Sequence, residues 1–189
     1  MRYECNEVLN DLVNYFLLAD IRLLKKFKDD NELADDLATE FTRNESGDKA
    51  VLEGVLIPMT GVENYPYTII FTLPAETPEL LKAENNLQHR RAGYTLRVEH
   101  GQVQLFTWRI LDDFNDESIN ALLQRYEAPN RPHIALENGT YSVEILAGEV
   151  LRNDDYEPAF EFVLEKNDDA KPAADLDINY LFSVDSQSY

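Results

Sequence analysis

The stretch from His133 to Lys166, HIALENGTYSVEILAGEVLRNDDYEPAFEFVLEK, constrains the fold more than any other part of this chain. Apolar and polar residues alternate on both sides of an acidic turn, the period-two pattern of strands that bury one face and wet the other. Tyr141, Val143 and Ile145 share one face, and Phe160, Phe162 and Leu164 share a face of the following strand. A sheet with such a face needs a second layer packed against it.

The rest of the chain supplies candidates for that layer. From Glu4 to about Lys28 apolar residues recur at Val8, Leu9, Leu12, Val13, Phe16 and Leu17, then at Leu23, Leu24 and Phe27, spacing that predicts one kinked helix or two joined near Asp20. Asn31 is placed to cap a second helix through Leu33, Leu37 and Phe41. Arg43 to Lys49 reads as a loop, and VLEGVLIPM and YTIIFTLP read as strands. Thr77-Pro78-Glu79 predicts a helix start, with Leu80, Leu81 and Leu87 inward and an end before Gly93. Tyr94 to Glu99 and Val103 to Ile110 flank His100-Gly101 and predict a β-hairpin. SINALLQRYE has helical spacing after an acidic first turn, and LDINYLFSV alternates as a last strand.

The expected class is therefore α+β: an antiparallel sheet or sandwich with an N-terminal helical hairpin and one or two further helices packed on it. At 189 residues one domain, 1–189, is expected, with residues 1–45 as the helical segment and 50–189 as the β-rich core.

Charge is the feature that bears on function. The formal net charge is −19, and it is uneven: residues 112–189 hold 5 basic against 18 acidic side chains. Phosphate binding depends on Lys and Arg, so nucleic acid is a poor partner, and an anionic membrane surface is disfavoured for the same reason. Arg90, Arg91 and Arg97 beside Tyr94 are the nearest thing to a basic patch, and local salt bridges are their expected use. The N-terminus carries Glu4, Glu7 and Asp11 in place of a secretory signal, and Cys5 is the single cysteine, so a cytoplasmic, reducing location is expected.

Motifs for catalysis are not found. There is no GxSxG, no phosphate-cradling glycine loop, and no HxH, HExxH or CxxC among the widely spaced His89, His100 and His133. Neither Asp112/Asp113/Asp116/Glu117 nor Asp154/Asp155/Glu157 has the glycine-bearing loop of an EF-hand, so no metal or cofactor is assigned. What remains is acid gathered in presumed loops. Asp112, Asp113, Asp116 and Glu117, with Asp154, Asp155 and Glu157, would build a field that speeds encounter with a basic protein, with Phe114 and Tyr156 as aromatic anchors. A hydrolase using two carboxylates, or a non-catalytic adaptor subunit joined through its N-terminal helices, are the alternatives.

Glu137 to Ile145, ENGTYSVEI, followed by Tyr156 to Leu164, YEPAFEFVL, resembles the C-terminal strands of bacterial immunity proteins from polymorphic-toxin and type VI secretion systems and of the competence nuclease inhibitor group. The resemblance covers about a fifth of the chain. It implies a cytosolic antitoxin without catalysis of its own that binds a cognate toxin, often a nuclease, and blocks it.

Overall fold

The computed structural model describes residues 1–9, 11–74 and 76–187. In chain order the strands are β1 (Arg2–Val8), β2 (Tyr15–Ala19), β3 (Ile57–Thr60), β4 (Pro66–Thr72), β5 (Asn86–Val98), β6 (Gln102–Thr107), β7 (His133–Ala135), β8 (Gly139–Arg152) and β9 (Asp155–Lys166). The α-helices are α1 (Ile21–Asp30), α2 (Leu37–Arg43), α3 (Ser46–Leu52) and α4 (Asp116–Tyr126), with 3₁₀ turns at Glu79–Leu81 and Trp108–Asp113.

The strands form two sheets, ordered β1-β4-β9-β8-β5 and β3-β2-β6-β7, in which every pairing but β4 with β9 is antiparallel. Their inner faces make the main core, where Phe16, Leu18, Met59 and Leu105 of the smaller sheet meet Tyr67, Phe71, Ile145, Phe160 and Phe162 of the larger. Leu17, Ala19 and Phe106 point the other way and are covered by the helices through Leu24, Phe27, Leu37, Phe114 and Leu122. The α+β expectation thus holds in its sandwich form, with the helices on the outer face of the smaller sheet.

The hairpin of β8 and β9 turns through Asn153 and Asp154, both at positive φ (50° and 70°), the geometry a two-residue turn needs to match strand twist. Tyr141, Val143 and Ile145 and then Phe160, Phe162 and Leu164 all enter the inner core. The helix expected in SINALLQRYE is α4, capped by Asn115, whose Oδ1 accepts the N–H groups of Glu117 and Ser118 (both 3.0 Å).

Five local expectations are corrected. Residues 2–8 and 15–19 are strands where helix was expected, and helix begins only at Ile21. Tyr15–Ala19 is a short apolar run sandwiched between strands and helices, so its two buried faces imitate the spacing of an amphipathic helix. Arg43 to Lys49 is not simply loop, since α3 starts at Ser46, and the helix expected after Pro78 is one 3₁₀ turn followed by β5. The predicted hairpin about His100-Gly101 is a crossing between sheets: β5 pairs with β8, whereas β6 pairs with β2 and β7.

Finally, residues 176–184 do not form a strand but a strap with a single bridge, Leu181 to Thr60. It closes one open side of the sandwich, between the edges of β3 and β5. Phe182 N–H donates to the Thr60 carbonyl (2.8 Å), and His89 meets the Tyr180 hydroxyl (2.9 Å) and the Ser183 carbonyl (2.7 Å). Gly93, at φ 96°, lets Ala173 approach so closely that a Cβ there would lie 2.7 Å from the Ala173 Cβ. Among the described residues no helix is long and apolar enough to cross a membrane.

Candidate functional site: a carboxylate surface on the helix layer

Buried Asp20 begins the site. One carboxylate oxygen caps α1 by accepting the N–H groups of Arg22 and Leu23 (both 3.1 Å), and the other accepts those of Glu99 and His100 (2.9 and 2.8 Å) in the turn between β5 and β6. This pins α1 across the smaller sheet, with Leu23, Leu24 and Phe27 buried. Its last turn therefore carries Asp29 and Asp30 to a fixed place.

The chain then reverses through Glu32, at φ 53°, with Leu33 N–H donating to the Lys28 carbonyl (3.0 Å). Asp36 caps α2 by accepting Thr39 N–H (2.9 Å), a bond that holds its carboxyl below the usual carboxylate range. The decisive contact follows, where Phe114 N–H donates to the Asp35 carbonyl at 2.7 Å. It ties the 29–36 segment to the 3₁₀ turn that leads into α4. Lys25 bridges the two segments by pairing with Asp29 and with Asp116 (3.3 Å), and buried Lys28 pairs with Asp29 (3.8 Å) and Asp35.

Nine carboxylates are thus gathered: Asp29, Asp30, Glu32, Asp35 and Asp36 from one segment, and Asp112, Asp113, Asp116 and Glu117 from the other. Neither 29–36 nor 112–117 contains a Lys or Arg. Part of this acid suits the helices, because Asp116 and Glu117 lie in the first turn of α4, and Asp113 accepts from Asn115 Nδ2 (2.7 Å) and Ser118 Oγ (3.3 Å). Asp29 and Asp30 do not suit theirs. They sit at the negative end of α1, with Lys25 and Lys26 four residues on the N-terminal side, the weaker order for such pairs.

The expected site residues fall in two places. Asp112, Asp113, Asp116 and Glu117 are exposed on the helix layer, but Phe114 is fully buried and packs in the core beneath them, so it offers no surface for a partner. Asp154, Asp155, Tyr156 and Glu157 belong to the β8–β9 hairpin of the other sheet, where Tyr156 OH donates to the Glu84 carbonyl (3.2 Å) and Glu157 accepts from Thr68 Oγ1 (3.1 Å). No hydrogen bond or ion pair among the described residues joins the two groups. The five acids of 29–36 are absent from the expected site, although the run DDNELADD is visible in the sequence.

Other chemical groups are engaged in the fold. The Cys5 thiol is buried and pushed up to about 12, by burial first and then by Glu7 and Glu4, and its Sγ lies 3.7 Å from the Ile69 carbonyl. His100 Nδ1 lies 3.1 Å from Asp20, and His133 Nδ1 3.2 Å from the Arg131 carbonyl. Arg90 pairs with Glu144 (2.8 Å), Arg97 with Glu99, and Arg91 lies 4.6 Å from the Tyr180 ring centre. No cluster of three or more His, Cys, Asp or Glu side chains with metal-binding geometry occurs among the described residues.

The site is thus a protein surface on a two-sheet sandwich with one helical layer. No protein-family model and no curated protein matches the sequence. Among solved structures, the chain is similar to the protein described as crocagin biosynthetic gene J, with a TM-score of 0.48 and 12% identity over 88% of this chain and 99% of the other. It is also similar to ComJ, inhibitor of the DNA degrading activity of NucA, from Bacillus subtilis, with a TM-score of 0.43 and 10% identity over 88% of this chain and 96% of that one.

Proposed function

We propose that this chain is an inhibitor of the immunity type, which docks a basic bacterial toxin, a nuclease in the first instance, on the carboxylate surface of its helix layer. The carrying observation is the convergence of the 29–36 and 112–117 segments through Asp35 and Phe114, which gathers nine carboxylates on a rigid support. Asp29 and Asp30 are held where they oppose the helix dipole, which supports a use other than stabilising α1. A nuclease presents Lys and Arg to its phosphodiester substrate, and a field of fixed carboxylates competes for that surface and steers the encounter. The hairpin carrying Asp154, Asp155, Tyr156 and Glu157 is assigned a separate, secondary contact. In this reading residues 1–189 fold as one domain in the cytoplasm of a bacterium that also encodes the toxin.

The experiment uses the effector encoded beside this gene, with association followed by stopped flow at low and high salt. Reversing Asp30 and Asp112 to Lys is expected to slow association about 10-fold or more at low salt, with the difference shrinking at high salt. The pair Asp154→Lys and Asp155→Lys is expected to have the smaller effect. Unchanged rates in the Asp30/Asp112 variant at both salt concentrations would remove the helix-layer surface from the mechanism.

A further inference from the structure

At the other end of α2 from Asp36 the helix layer opens into a cleft of about 490 Å³, within the size range of small-molecule sites. Its walls come from four parts of the fold: Tyr15 of β2, Phe41 of α2, Val51 of α3 and Pro58 of β3, with Trp108 at the start of the second 3₁₀ turn. The Tyr15 and Trp108 rings are 4.8 Å apart and tilted by 55°. The base is apolar, since Leu17 and Leu56 belong to the buried cluster under the helices and Val51 beside them is buried. One wall is completed by the C-terminal strap, through Ile178 and Asn179.

Three polar groups on this cleft are free to recognise a ligand. The Tyr15 hydroxyl and the Trp108 indole N–H have no hydrogen-bond partner among the described residues. Asp48, in the first turn of α3, is exposed and has no Lys, Arg or His within ion-pairing distance among them. Its charge is felt inside the cleft: the Tyr15 phenol is pushed above its ordinary value by burial and then by Asp48. An anionic ligand would meet Asp48 and the −19 of the whole chain. A neutral one would partly desolvate Asp48 without compensation.

We propose that the cleft binds a small amphipathic organic cation, with its apolar body against Phe41, Val51 and Pro58 and its ammonium or guanidinium head between the Tyr15 and Trp108 rings and Asp48. Aromatic faces and a carboxylate together are the usual means of holding such a head. The site is separate from the carboxylate surface and does not depend on how that surface is used.

Trp108 is the chain's sole tryptophan, so its fluorescence reports this cleft directly. Three probes with one body and three charges decide the matter at pH 7: 4-phenylbutylamine, 4-phenylbutanol and 4-phenylbutyrate. The expected order of affinity is amine, alcohol, acid, with about a 3-fold or larger step between amine and alcohol. Asp48→Asn, checked for native circular dichroism, is expected to abolish that step and to leave the alcohol's affinity in place. Trp108→Phe, followed by calorimetry, is expected to weaken all three. Equal affinity for the three probes, no saturable change in Trp108 emission, or an amine preference that survives Asp48→Asn would each overturn the proposal.

Discussion

Replacing Asp20 tests how the helix layer is held over the sheets. The carboxylate accepts four backbone N–H groups at 2.8 to 3.1 Å, two in α1 and two in the turn between β5 and β6, with 1% of the residue exposed. Asp20→Ala removes a helix cap, costing about 1 kcal/mol, and strands two part-buried N–H groups of the turn at about 1 kcal/mol each. The expected loss is thus about 3 kcal/mol, a large share of the roughly 5 to 15 kcal/mol that holds an ordinary domain together. For a chain of this length it corresponds to a fall in Tm of roughly 6 to 12 °C. Asp20→Asn separates the two roles. Its amide oxygen still caps α1, but its NH₂ faces the N–H groups of Glu99 and His100, so about 2 kcal/mol should still be lost. Urea unfolding followed by circular dichroism measures both variants, and amide exchange should quicken at Glu99 and His100. Wild-type stability in Asp20→Asn would show that the carboxylate is only a cap and that the turn is held by other contacts.

Three further outcomes are expected. Asp30→Asn with Asp112→Asn should raise stability at low salt by about 0.5 to 1 kcal/mol, because Asp30 opposes the α1 dipole and both residues sit in a crowded negative field; a smaller gain in high salt, by calorimetry, is the signature. Tyr94→Phe should not destabilise the protein and should add about 1 kcal/mol, since the buried Tyr94 hydroxyl has no hydrogen-bond partner among the described residues, whereas a loss above 1 kcal/mol in denaturant titration would show a hidden one. Cys5 should resist a thiol reagent in the folded protein. Its folded value of about 12 lies above the ordinary 9.0, so the stability tied to the protonated thiol is present below pH 9 and is lost as pH climbs through that interval. Cys5→Ala should flatten the alkaline limb of the stability profile.

Short-range signals were legible where the local pattern and the tertiary environment agree. The β8–β9 hairpin declares itself through alternation and an acidic turn, and α4 through its spacing and its acidic first turn. The acid of 112–117 was equally visible, but its partners in space were not. Nothing local in DDNELADD says that it lies beside residues some eighty positions later, because that neighbourhood depends on one hydrogen bond from Phe114 to Asp35 and on Lys25 reaching Asp116.

What the amino-acid sequence determined by itself was the α+β class, the strands that carry the core and the excess of negative charge. The tertiary structure alone decided that residues 15–19 are a strand, that β5 and β6 part into different sheets, that residues 176–184 form a strap, and that Phe114 is buried under the acids it seemed to accompany. In each of these places the same apolar spacing satisfies more than one local conformation. The choice falls to whichever one buries the side chains against distant parts of the chain, a free energy that no short window of sequence contains.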